Sequence, residues 1–229
     1  MPATGHFTPA TFAFLRDLGA NNNRDWFKAN KDRYEETVRE PALQFIRDFE
    51  PYLERISPHF RADDRRSGGS LFRIYRDVRF SKDKSPYKTY TGVQFRHAAG
   101  KDAHAPGFYL HLQPRGVFTG VGIWHPDSST LAKIRSAIVD DPDGWRDTIG
   151  GTAFRQRYEL QGDSLKRPPR GFPADHPLIE DLKRKDFIAI QRMSQKVVTG
   201  GGFLERFADD CAAGSGLVEL LCDAIGVAF

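Results

Sequence analysis

The chain has 229 residues, 39% hydrophobic and 28% charged, with a mean hydropathy of -0.53. That is the composition of a water-soluble globular protein with enough chain for a real core, and no apolar run approaches the roughly 18 residues of a membrane span. The formal net charge of +4, with a pI near 9.1, is mild beside the dense basic faces of typical nucleic-acid binders.

The opening MPATGHFTPA has neither the basic lead nor the apolar stretch of a signal peptide, so the expected location is the cytoplasm. Thr8 and Pro9 form an N-cap with proline in the first turn, and Phe12, Leu15 and Leu18 recur at helical spacing until Gly19. Asn21, Asn22 and Asn23 suit a tight turn capping a second helix from Arg24, with Trp26, Asn30, Tyr34 and Val38 along one side. Pro41 interrupts it. Beyond, Ala42, Phe45, Ile46, Phe49, Leu53 and Ile56 trace one stripe, which is either the continuation of a kinked helix or a separate one.

After RADDRRSGGS the period changes to two. Phe72, Ile74, Val78 and Phe80 alternate with Arg73, Tyr75, Asp77 and Arg79, which predicts a half-buried strand, with Arg76 on the apolar side and in need of a partner. Gly92 to His97 reads as a second strand, and Phe108 to Trp124 as a hairpin turning at Pro114, Arg115 and Gly116. On its second arm Gly120 and Gly122 leave a bare spot on one face, either a groove floor or a site of tight packing. Asp127 or Ser128 caps a helix bearing Leu131, Ile134 and Ile138, and a shorter helix around Trp145 follows Pro142. LKRPPRGFPADHP is a proline-stiffened loop, a helix begins at Leu178, and Phe187 to Ile190 is a late strand. Thr199 and three glycines precede a helix with Phe203, Leu204 and Phe207, and Leu217 to Ile225 is a last apolar helix. The order predicts an α+β fold: N-terminal helices, a central mostly antiparallel sheet and C-terminal helices, in one domain over 1–229 with parts 7–57, 69–125 and 127–229. Cys211 and Cys222, eleven apart, match no zinc spacing and no disulfide framework, so both are expected to be buried, reduced thiols.

Charge is concentrated. Leu71 to Thr91 holds six basic residues against two acidic ones, and removing it leaves 28 of each sign in the rest of the chain. Guanidinium and ammonium groups pair best with phosphate or carboxylate oxygens. Arg73, Arg79, Lys82, Lys84 and Lys88, with hydroxyls from Tyr75 and Tyr87, are therefore the expected binding residues for a phosphorylated or carboxylated small molecule, with Arg76, Asp77 and Asp83 in supporting ion pairs. The competing reading is an internal network of Arg76, Asp77, Arg79 and Asp83 that fixes the loop on the sheet. His111 shares a predicted strand face with Tyr109 and is the candidate proton carrier, in the same groove as Arg73 and Tyr75. A second functional reading is a nucleic-acid module, with the basic strand along a phosphate backbone and Tyr87, Tyr90 or Trp26 stacked on bases. A third is a ligand-free interaction protein.

Other chemistries find less support. Ser81 with Lys84 and Ser85 with Lys88 fit S-x-x-K, but the S-D-N and K-T-G elements that accompany it are missing and Pro86 opposes the helix start it needs. His97, His104 and His111 are seven apart, with His125 and His176 farther off, and none belongs to a metal-binding motif, so no metal is expected. Gly120-Val-Gly122 lacks the third glycine of a dinucleotide fingerprint and no Walker sequence occurs, so no nucleotide cofactor is expected. Lys166, Arg167 and Arg170 form a second basic spot, either a completion of the anion site or a solvated loop.

Four separated motifs, NNNRDWF (Asn21 to Phe27), IYRDVRFSKDKSPYKT (Ile74 to Thr89), GVGIWHP (Gly120 to Pro126) and LKRPPRGF (Leu165 to Phe172), resemble in content and order the family called domain of unknown function 2461. The resemblance spans nearly the whole chain. It implies one folded unit and lends no activity, substrate or catalytic residue.

Overall fold

The computed structural model describes residues 5–100 and 104–229; residues 1–4, the start of the stretch tested for a leader, lie outside them. Helix α1 (Pro9–Ala20) opens on Thr8, whose hydroxyl accepts from the Ala10 N–H at 3.3 Å while Thr11 Oγ1 accepts from the Thr8 N–H at 3.2 Å. Helix α2 (Arg24–Ala29) is capped by the Asn23 side chain, which accepts from the Trp26 N–H. Helix α3 (Lys31–Tyr34) widens into a π-helical turn (Glu35–Arg39) that continues into α4 (Glu40–Ile56). Pro41 has no N–H to give the carbonyl four residues back, and that orphaned Thr37 oxygen instead accepts from the Thr11 hydroxyl at 2.7 Å. The helix therefore runs past Pro41 with that one carbonyl satisfied from α1.

Next come β1 (Thr91–Arg96), β2 (Gly107–Leu112), β3 (Val117–Ile123), α5 (Ser128–Asp140), α6 (Pro142–Gly150), α7 (Thr152–Arg155), β4 (Glu159–Gln161), α8 (Ile179–Leu182), β5 (Phe187–Met193), α9 (Gln195–Val198) and α10 (Phe203–Ile225). The five strands form one antiparallel sheet in the order β1-β2-β3-β5-β4. The fold is α+β, with helices at the N-terminus and a long helix at the C-terminus. One sheet face, with Phe95, Phe108, Leu110, Val121 and Phe187, is buried against α4 and α10. There Phe49 lies 4.6 Å from Phe95 and 4.8 Å from Phe207, ring to ring. Each such phenylalanine contributes about 2–3 kcal/mol by leaving water.

Three expectations change. The two C-terminal helices are one, because Gly214 does not break α10: a Cβ there would lie 2.8 Å from Val121 Cγ1, so the glycine lets the helix cross β3 at close range. Strand β4, three residues long, carries too little pattern to be read. The third change bears on function: residues 72–80 form no strand. Ile74 and Tyr87 pack into a second, smaller core with Phe14, Leu18 and Phe27 from the N-terminal helices, while Phe80 is 94% exposed. Tyr75 bridges Tyr87, and the chain between is a loop built on local side-chain turns, in which Asp77 takes the Arg79 N–H and Asp83 the Ser85 N–H. Such local acceptors compete with a sheet ladder, and Pro86 removes one of its donors.

Candidate functional site

The other face of the sheet carries a groove of about 360 Å³. Its walls and floor come from Tyr109 and His111 on β2, Phe118 and Gly120 on β3 and Ile188 and Ile190 on β5, with Phe72, Tyr90 and Trp124 also lining it. The two glycines of β3 play different parts. A Cβ on Gly120 would meet nothing closer than 3.8 Å, so the missing side chain opens the groove floor. Gly122 has φ +117, and a Cβ there would run into the Phe187 carbonyl, so it serves the tight packing of β3 on β5. Both sequence readings hold, one at each glycine.

His111 lies between the rings of Tyr90 and Phe118, each 4.6 Å away and nearly parallel. Its Nε2 is 3.3 Å from Gln113 Oε1, which can only accept, so Nε2 bears the proton and Nδ1 accepts from the Tyr109 hydroxyl at 3.1 Å. Burial holds this imidazole below its ordinary value, against the opposing pull of the Gln113 bond. A histidine depressed in the folded state contributes stability that is full above the unfolded value of about 6.5 and lost as pH falls through it. His111→Phe, which keeps the stacking, is accordingly expected to lose less melting temperature than the parent between about pH 7 and pH 5. Parallel melting profiles of the two proteins over that interval would rule the effect out.

The basic residues divide. Arg76 binds Asp83 at 2.5 Å and the Ser85 carbonyl at 3.2 Å. Arg79 forks onto Asp77 at 2.7 and 3.0 Å and lies over the exposed Phe80 ring. The Arg79 bond holds Asp77 down at about 2, and Ser85 with Arg76 holds Asp83 far below the carboxylate range. Arg79 thus sits in an ion pair like the one predicted for Arg76. Lys84 donates to the Val78 carbonyl at 2.9 Å within the loop, and Lys82 is exposed on it. Tyr87 stacks on Phe27 at 4.2 Å, and Tyr75 stands beside it, half-exposed. Tyr75 therefore faces the N-terminal helices, and the aromatic neighbours of His111 are instead Tyr90, Tyr109 and Phe118. Lys88 touches two of the groove's lining rings without itself lining it: its Nζ donates to the Arg73 carbonyl at 2.9 Å and lies over the rings of Phe72 and Tyr90 at 5.3 and 5.9 Å. Burial, then the nearby Arg73 charge, lowers its pKa. Lys166, Arg167 and Arg170 are exposed on the loop between β4 and α8.

One pair escaped sequence reasoning. Directly after β3, Trp124 is half-exposed at the edge of the groove, and His125 next to it is bound to Asp186 through both its backbone N–H (2.8 Å) and its ring Nδ1 (2.6 Å). The partners are 61 residues apart, so no local spacing signals them. The only trace is the His-Pro of GVGIWHP and a lone aspartate ahead of β5.

Two of the quoted motifs meet in space: the Asn22 side chain accepts from the Tyr87 N–H at 3.1 Å and donates to the Tyr87 carbonyl at 2.9 Å, tying the NNNRDWF turn to the end of the basic loop. No curated protein matches the chain. A family described as conserved hypothetical protein (DUF2461) matches residues 10–219, a span that takes in all four motifs and both ends of the groove, and the chain belongs to that family.

Proposed function

We propose that the protein binds a small molecule with a flat apolar body and a carboxylate or phosphate group, the body in the sheet groove and the anion at its Lys88 rim. The observation that carries this reading is Lys88 itself. It is a partly buried cation over two groove rings, with no carboxylate in ion-pair range among the described residues and with Arg73 adjacent. A half-buried ammonium held by one carbonyl and two ring faces retains donors for an anion, and the groove's aromatic walls suit a ring. Arg76 and Arg79, already engaged by Asp83 and Asp77, serve in this reading to hold the loop that positions Lys88.

The test is calorimetric titration with a panel of aryl carboxylates and aryl phosphates, indole-3-acetate and phenyl phosphate among them. Lys88→Ala is expected to weaken the best compound by a factor of about 10 to 100, the worth of one charge-assisted hydrogen bond, and Gly120→Leu to abolish binding by filling the floor. Arg79→Ala is expected to leave affinity within about threefold. Binding undiminished in Gly120→Leu, or no binding across the panel, would overturn the proposal. A preference for single-stranded nucleic acid with a steep loss in salt would favour a polyanion surface instead.

A further inference from the structure

Separate from the groove, at the end of β3, lies a cavity of about 600 Å³ with His125, Asp127, Thr130 and the apolar Ile123, Ile225 and Val227 among its lining. We infer that His125, oriented by Asp186, is a proton-transferring centre of this cavity, acting on a substrate group that is neutral or positively charged.

Four observations converge on it. Asp186 is 2% exposed, yet it is a full acceptor: it takes the N–H groups of His125 and Asp163, each at 2.8 Å, and the His125 ring at 2.6 Å. Burial pushes its carboxyl up, but the hydrogen bonds from Asp163 and His125 together outweigh burial and keep it ionised. Second, an aspartate on Nδ1 fixes the tautomer, since the carboxylate can only accept: Nδ1 carries the proton and the Nε2 lone pair points away, without a partner among the described residues, on a side chain 48% exposed. Third, His125 is the one non-glycine with positive φ (48) among the described residues. That conformation is disfavoured for a side chain with a Cβ and is held by the same aspartate, which accepts the His125 backbone N–H. Fourth, the ring lies flat on Trp124 at 4.1 Å and 15°, so its direction is set by stacking as well as by the carboxylate.

The chemistry follows from that arrangement. Nε2 takes a proton from a water, hydroxyl or amine in the cavity, the imidazolium charge is stabilised by the Asp186 carboxylate, and the same proton is returned to the product or leaving group. Asp127 sets the substrate charge. Its carboxyl, held below its usual value chiefly by the Thr130 N–H, is a negative group on the cavity wall and repels an anion there. In this scheme His125 is the catalytic residue and Asp186 a positioning residue. The alternative is that Asp186 only ties two loops together; a tie of that kind changes stability but not the reactivity of Nε2.

Diethyl pyrocarbonate distinguishes the two. Nε2 attacks a carbonyl carbon of the reagent, the released half leaves as ethanol and carbon dioxide, and N-carbethoxyhistidine remains, assigned to each histidine by mass spectrometry. At about pH 8, above the ordinary imidazole range, His125 is expected to react about tenfold faster than N-acetylhistidine. Asp186→Asn, which keeps the shape and an acceptor but removes the charge, is expected to return it to the free rate, while His59, partly exposed in the turn after α4, reacts unchanged. Should that variant not fold, long-range 15N–1H correlation of the unsubstituted protein reads the same property, with Nδ1 protonated and Nε2 bare. A His125 rate equal to that of N-acetylhistidine, a wild-type rate in a folded Asp186→Asn protein, or a protonated Nε2 in the neutral ring would overturn the inference.

Discussion

Gly122→Val is expected to lose about 3 kcal/mol or more of folding free energy, while Gly120→Val, two residues earlier on the same strand, should stay within about 1 kcal/mol of the parent. The difference is purely local geometry. Gly122 has φ +117, a region that β-branched residues scarcely enter, and its new Cβ would collide with the backbone oxygen of Phe187 in the paired strand. A flexible side chain can swing away from such a clash; a ladder carbonyl cannot move without breaking the β3–β5 pairing that runs from Val117 to Ile123. At Gly120 the nearest atoms stand at 3.8 Å and φ is ordinary, so valine adds strand propensity and fills empty groove. Urea unfolding midpoints of the two variants decide the matter. Equal midpoints would mean that the β3–β5 register yields more easily than a rigid ladder allows.

Asp210→Ala is expected to cost about 3 kcal/mol, the next largest effect, because it removes the acid at the centre of a buried charge network and leaves its partners behind. Asp210 lies on α10 and is 0% exposed. It accepts from Arg157 at 2.5 Å and from Arg206 at 2.9 and 3.1 Å. With its amide nitrogen turned toward Asp210, Gln191 on β5 donates at 2.8 and 2.9 Å and accepts from Arg206 at 2.7 Å. The network joins α10, β5 and the turn before β4. Arg157 and Arg206 are both partly exposed and regain some hydration when the acid is lost, which keeps the cost near the lower end for a broken buried pair. Arg206→Met should cost less, since Arg157 still neutralises Asp210. Denaturant titration of the two variants checks the ranking, and a loss under about 1 kcal/mol for Asp210→Ala would show that the charge is dispensable. Both cysteines are inert packing on the same helix: Cys211, next to Asp210, and Cys222, farther along α10, are free and buried, and burial pushes the Cys222 thiol up to about 12.

How much of the candidate site was legible follows the same division. The groove floor announced itself through two glycines in an alternating strand, and His111 through its place beside Tyr109, because a strand's period assigns faces without knowledge of the partner strand. The basic block was visible as composition. Its internal economy was not: alternation in 72–80 gives the same pattern for a strand as for an extended loop whose Ile74 happens to dock under α1 and α2. Whether Arg79 faces a ligand or Asp77 depends on a turn two residues long that propensity does not specify.

The amino-acid order alone determined the helix starts at Thr8, within Asn21 to Asn23 and at Asp127 or Ser128, the hairpin of β2 and β3, and the α+β class, since caps, turns and periodicity act within a few residues of backbone. Only the tertiary structure decided that Thr11 satisfies the carbonyl Pro41 abandons, that Lys88 sits over two groove rings, and that Asp186 holds His125 from 61 residues away. Those pairings arise when packing of the apolar face brings distant segments together. A buried polar group must then take a partner from whatever segment arrives, and this is a property of the assembled chain rather than of any window along it.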